Sequence, residues 1–284
     1  MRACFALLVA VLALAGTAAA AVVTGTSGAD RLTGTAEVDV IDAKGGRDVV
    51  RAIGGDDVVT GGDDGDRLLG GDGRDTLNGD DGADRLAGGA GDDLGLYGGD
   101  GHDVVDGGEG DDVLDGGGGS DALVGRAGAD RINGGVGPVP AGDEISGGDG
   151  DDVLDGGDGR DSVSGGAGDD TLTGGTADDR LAGNLGVDEI LGGDGDDVIV
   201  ALAWGDVTTG EAADGSTSDF VHGGGGDDLF RTRDGEPDRI DCGEGRDRVI
   251  ADTVDVLIDE RSCERVTRLP AAARPAKDPG AELP

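Results

Sequence analysis

Aspartate recurs at a fixed interval along most of this chain. Counting by nines from Asp75 meets Asp66, Asp57, Asp48, Asp39 and Asp30 upstream, and Asp84 and Asp93 downstream. After one extra residue the series resumes at Asp103, Asp112, Asp121 and Asp130. Four extra residues precede Asp143, which leads on to Asp152, Asp161, Asp170, Asp179, Asp188, Asp197 and Asp206. Four more precede Asp219 and Asp228, and one more precedes Asp238 and Asp247. Glycine at the first, second and fourth positions of each unit permits positive φ and a backbone free of side chains. Such a turn can aim several carbonyl oxygens at one point, and the Asp at position six adds a carboxylate. A set of six or more oxygens suits a hard cation of Ca2+ size and does not suit zinc.

The complete turn, GGxGxD, occurs ten times. It opens at Gly70, Gly88, Gly98, Gly107, Gly116, Gly147, Gly156, Gly165, Gly192 and Gly223. It closes at Asp75, Asp93, Asp103, Asp112, Asp121, Asp152, Asp161, Asp170, Asp197 and Asp228. These are the candidate metal-binding positions. The turns ending at Asp39, Asp48, Asp179 and Asp188 depart from the pattern, and Lys44 brings a positive charge toward the second of them. They read as structural turns, with a solvated acidic stripe as the alternative to metal binding.

Turns of this kind need elements that hold them in register. Position eight is apolar in twenty-three of twenty-four units, from Leu32 to Val249, with Thr208 the exception. It is flanked by polar or small residues, so a short strand turns it to an inner face. One short strand cannot bury such a face, but stacked copies can. Between the two uses of a highly acidic chain, disorder or repeat, this spacing selects the repeat.

The nonapeptide G-G-x-G-x-D-x-U-x, with U apolar, resembles the RTX (hemolysin-type) calcium-binding repeat. The resemblance spans about four-fifths of the chain. It implies an all-β fold, a right-handed parallel β-roll (β-solenoid) with two nonapeptides per coil. Twenty-four units give about twelve coils, a stack roughly 58 Å long. It also implies several Ca2+ ions, each held between units i and i+2. The best paired sites then lie between Asp75 and Asp93, Asp103 and Asp121, and Asp152 and Asp170.

Composition narrows the function. The 62 Asp and Glu against 22 Lys and Arg leave a net charge of −40, which excludes a basic nucleic-acid binder. Glycine numbers 63 without falling at every third residue, and proline only 7, so collagen is excluded. Residues 1–20 carry one charge, Arg2, then an apolar run, then Ala18, Ala19 and Ala20. This reads as a cleaved secretory signal, with Cys4 inside it and no membrane span. In an exported protein the remaining Cys242 and Cys263 read as a disulfide. The segments are thus 1–20 signal, 25–250 repeats, 251–267 a C-terminal cap pinned by the disulfide, and 268–284 a disordered tail holding four of the seven prolines. Insertions near Pro138 and Asp214 read as loops, and Trp204 as a packed or exposed loop-edge residue.

The expected function is a secreted, extracellular calcium-binding repeat protein with a structural or interaction role. A cell-surface adhesin or matrix component is the alternative. An enzyme is disfavoured. The repeats leave no stretch of about 100 residues for a catalytic domain. His102 and His222 stand apart, and HExxH and GxSxG are absent. Pore-forming toxin activity does not carry over, because the chain lacks a hydrophobic pore region. Stacked carboxylates repel one another, so the metal-free chain is expected to be expanded and Ca2+ to fold it.

Overall fold

A computed structural model describes residues 19–136, 142–201, 218–233, 237–258 and 262–269. The expected signal segment through residue 18, with Cys4, then Pro138, Trp204, Asp206, Thr208, Asp214 and the expected tail from residue 270 lie outside the described residues.

Among the described residues there are twenty-six strands and no helix. They form two sheets of thirteen strands, and the chain alternates between the sheets at every strand. Every pairing is parallel and joins strand i to strand i+2. The result is a parallel β-solenoid of about twelve turns, as the two-unit coil implies.

The strand Arg67–Asp72 shows how the repeat sets the layer. Leu68 and Gly70 point inward and are buried, while Arg67 and Asp72 point outward. This is the two-residue period of an extended chain. Leu68 is in register with Val50 on one side and Leu86 on the other. In the opposite sheet Leu77 stands between Val59 and Leu96. The core is therefore two columns of position-eight side chains that meet face to face. It accommodates one large ring, Phe230, which is fully buried between Ile199 and Val249. Its β-branched neighbours and the bare backbone of Gly223 make that room; a Cβ on Gly223 would stand 2.9 Å from the ring tip.

The stack differs from the sequence count at three places. A strand at Val22–Thr24 precedes the first counted unit and pairs with Val40–Asp42. Between Ile199 and Val221 the count places a unit at Asp206. The strand Glu189–Asp194 instead pairs directly with Phe220–Gly225, and Val198–Val200 with Leu229–Thr232. Counted through a unit at Asp206, Val221 would fall on the other sheet; it stands instead in register with Ile190. Beyond Val249 two further strands, Val256–Leu257 and Arg265–Arg268, continue both sheets in register. Cys242 and Cys263 are joined by a disulfide, with their Cα atoms 5.4 Å apart, and both are buried. The bond ties this last coil to the one before it.

Candidate metal centre

Each turn follows from what its positions cannot accommodate. In the turn at 70–75, Gly70 ends the inward face of its strand. Gly71 and Gly73 then take φ of +123° and +139°, which side-chain-bearing residues adopt at a cost. The chain doubles back and brings Asp75 against Gly70. A Cβ on Gly70 would overlap Asp75 Oδ2 and lie 2.7 Å from the Gly88 carbonyl oxygen. A Cβ on Gly147 would likewise overlap Asp152 Oδ2 and lie 2.7 Å from the Gly165 oxygen. The position-one glycine leaves its side-chain space to a carboxylate oxygen and to a carbonyl from the next coil.

The two oxygens of each carboxylate have different fates. Oδ1 accepts the backbone N–H of the Asp one coil earlier. Asp57 donates to Asp75, and Asp75 to Asp93, both at 2.8 Å. Asp93 donates to Asp112, Asp103 to Asp121, and Asp161 to Asp179, all at 2.8 Å. Asp152 donates to Asp170 at 2.9 Å. The ladder crosses the insertions unbroken, from Asp130 to Asp152 at 2.8 Å and from Asp197 to Asp228 at 2.9 Å. Oδ2 is buried and without a hydrogen-bond partner at Asp75, Asp93, Asp103, Asp112, Asp121, Asp152, Asp161, Asp170, Asp197 and Asp228.

A buried carboxylate oxygen with no donor is costly unless a proton or a cation neutralises it. Burial raises these acids first, and neighbouring aspartates add to it, against a lowering by the one backbone N–H each accepts. Asp93, Asp170, Asp179 and Asp228 are pushed up to about 7. Asp103, Asp112, Asp152, Asp161 and Asp197 rise to about 6. Asp75 and Asp121 are also raised. The donor set is oxygen alone, from one carboxylate per turn and main-chain carbonyls. Among the described residues no three His, Cys, Asp or Glu side chains converge. The chemistry and the cradle fit a hard divalent cation.

The expected pairs Asp75–Asp93, Asp103–Asp121 and Asp152–Asp170 stack as complete turns in adjacent coils. Two more complete-turn pairs stack that the sequence reading did not pair, Asp93–Asp112 and Asp197–Asp228. The second was hidden by the Asp206 unit, which shifts the count by one.

The departures at degenerate turns divide in two. Lys44 does not turn inward; it pairs with Asp42 on the outer surface at 3.4 Å. Asp48, Asp179 and Asp188 keep the buried, unpartnered Oδ2 of the complete turns, as do Asp57, Asp66, Asp84, Asp130 and Asp247. Where glycine is missing from position two or four of these turns, Lys44, Ile53, Asp64, Asp80, Arg126, Ala177 and Asn184 take positive φ in its place. The turns of Asp30 and Asp39 differ in another way. Their Oδ2 atoms accept the backbone N–H groups of Thr26 and Thr35.

The comparisons agree with this geometry. The model of the RTX calcium-binding nonapeptide repeat (4 copies) matches residues 16–50, 24–59, 60–94, 96–123, 115–137, 140–172, 173–203 and 213–237. No curated protein matches the chain. With its solenoid, its turns and these matches along most of its length, the chain belongs to the RTX calcium-binding nonapeptide repeat family.

Proposed function

We propose that this is a secreted calcium-binding repeat protein whose folding is coupled to extracellular Ca2+ and whose duty is structural or interactive. The observation that carries the reading is the column of buried aspartates whose Oδ2 atoms have no donor. Asp75, Asp93, Asp103, Asp112, Asp121, Asp152, Asp161, Asp170, Asp197 and Asp228 would hold the ions, with carbonyl oxygens of the position-one glycines such as Gly88 and Gly165 beside them. A bound divalent cation supplies there the positive charge that the protein's own donors leave out. The chain's part is to exclude water, fix each Oδ1 on the preceding coil and leave each Oδ2 facing the turn.

Coupling to folding follows from where the half-sites meet. Asp75 and Asp93 are eighteen residues apart in sequence and adjacent only when coiled. A ligand that binds the coiled state alone stabilises it by mass action. Extracellular modules of this chemistry commonly bind at about 10⁻⁴ to 10⁻³ M, so the chain would stay open before export and close after it. The leader at 1–20 supports the exported setting, and the disulfide agrees with it. Among the described residues no helix is long and apolar enough to cross a membrane.

Isothermal titration of the mature protein with CaCl2 tests the reading. Uptake of several ions per chain supports it, and no uptake at millimolar Ca2+ contradicts it. A surface adhesin or matrix component remains the second reading. The observation favouring it is a set of exposed valines, Val40, Val58, Val113 and Val153, on the outer face of one sheet. Release from the cell surface by EGTA would support that reading.

A further inference from the structure

The two ends of the aspartate ladder differ chemically from its middle. Asp39 is as fully buried as the aspartates of the complete turns. Its Oδ2 nevertheless has a partner, the backbone N–H of Thr35, and the Thr35 hydroxyl donates to its Oδ1 at 3.2 Å. Asp30 repeats the arrangement. Its Oδ2 accepts the N–H of Thr26 at 2.6 Å and the Thr26 hydroxyl at 2.9 Å. Both threonines occupy position two of the nonapeptide, where later coils place a residue of positive φ such as Gly71 or Gly89. In those coils position two belongs to a strand that reaches position three. The strands before Thr26 and Thr35 stop at Thr24 and Thr33 instead. Neither threonine takes positive φ, and each turns its N–H into the carboxylate. The far end of the ladder has a related device. Asp255 Oδ2 accepts the Thr232 hydroxyl at 2.9 Å and the Asp252 N–H at 2.8 Å.

We propose that Thr26 and Thr35 fill, by hydrogen bonds, the place that a cation takes in the later turns, so that the first coil of the solenoid closes without metal. Thr232 does the same for Asp255 in the last coil. This rests on the calcium reading of the central turns and adds to it a rule for which turns are silent. A carboxylate already given two donors gains little from a cation and would have to release both to bind one. The outermost coils have a stacked neighbour on one side only. Threonine donors leave them satisfied at calcium levels where the central coils are still open. The first coil therefore caps the stack and contributes no site, although its spacing and its Asp are those of the repeat.

The test completes the motif in the full mature chain. T26G writes GGSGAD at 25–30, and T35G/E37G writes GGAGVD at 34–39. Calcium stoichiometry is measured by isothermal titration and by native mass spectrometry, with T26S as the conservative control. The expected result is one additional ion for each completed turn and an unchanged count for T26S. An unchanged count in both glycine variants, with the wild type binding normally, would overturn the inference and leave the calcium reading intact. So would a T26S count that rises by one. No uptake by the wild type would overturn the calcium reading itself.

Discussion

Asp75 gives its backbone N–H to Asp93 Oδ1 at 2.8 Å across one coil, while Asp93 Oδ2 is buried beside Gly88 with no donor of its own. One carboxylate thus has two tasks. Its first oxygen sets the register between coils, and its second is left over. The register bond is a local property of the coiled backbone. The leftover oxygen is what makes the coil conditional on something from solution.

Replacing Asp93 by Asn separates the two tasks. The amide oxygen can still accept the N–H of Asp75, but the buried charge is gone. Calcium uptake at that corner should weaken, while the metal-free coil should become more stable at pH 8, because a carboxylate that burial raises to about 7 no longer has to ionise there. Calcium titration and denaturant unfolding in EGTA measure the two effects. An Asn variant less stable in EGTA than the wild type would contradict this assignment.

Gly70→Ala tests the cradle. The added methyl overlaps Asp75 Oδ2 and approaches the Gly88 carbonyl, a main-chain atom that cannot swing away. The expected loss is roughly 1–3 kcal/mol in calcium, the usual cost of overpacking, together with loss of the ion held there. Thermal unfolding in saturating CaCl2 gives the first quantity and titration the second. Wild-type values for both would remove the cradle from the account.

Ile53→Gly should act in the opposite direction. Ile53 holds φ at +96° and its side chain is 49 % exposed, so it carries strain with little packing in return. Glycine relieves the strain, and the calcium-loaded protein should gain roughly 1 kcal/mol. A lower melting temperature for this variant would show that the exposed side chain packs better than its surface suggests.

Acid should replace calcium in part. An unfolded Asp titrates near 3.9, whereas in the coil Asp93, Asp170, Asp179 and Asp228 are raised to about 7 by burial. Raised acids bind more protons in the folded state, so the metal-free coil loses stability as pH rises through 6 to 7 and has all of that contribution below about 4. In EGTA, strand signal should therefore grow as pH falls from 8 toward 4. Over the same range calcium affinity should fall, because protons compete for the same oxygens. Metal-free strand content that is flat across this range would contradict the burial of the ladder.

Much of this was legible in the sequence. The nine-residue recurrence of Asp and of the apolar residue two places on points to a stack, because only a stack buries single side chains repeated at that distance; that each coil holds two units is what the resemblance to the RTX repeat implied. The pairing of Asp103 with Asp121 follows from two units per coil. Three features were not legible, each for a physical reason. The Asp206 unit satisfies the spacing, but parity between Ile190 and Val221 is decided by which strands pair, and no local residue records that. Glycine was read as necessary at position two, although Lys44, Ile53, Arg126 and Asn184 take positive φ where the stacked coil holds them. Thr26 and Thr35 look like weakened glycines in sequence, and their donors to Asp30 and Asp39 depend on a backbone φ that the residue type alone does not record.

Far-ultraviolet circular dichroism of the mature, oxidised protein at neutral pH, with CaCl2 and then with excess EGTA, tests the central claim most directly. The account predicts a strong β signal in calcium that collapses toward a disordered spectrum on chelation and returns when calcium is restored. Strand content that is the same in EGTA as in calcium would contradict it, since the buried aspartates would then be stable in the coil without any cation.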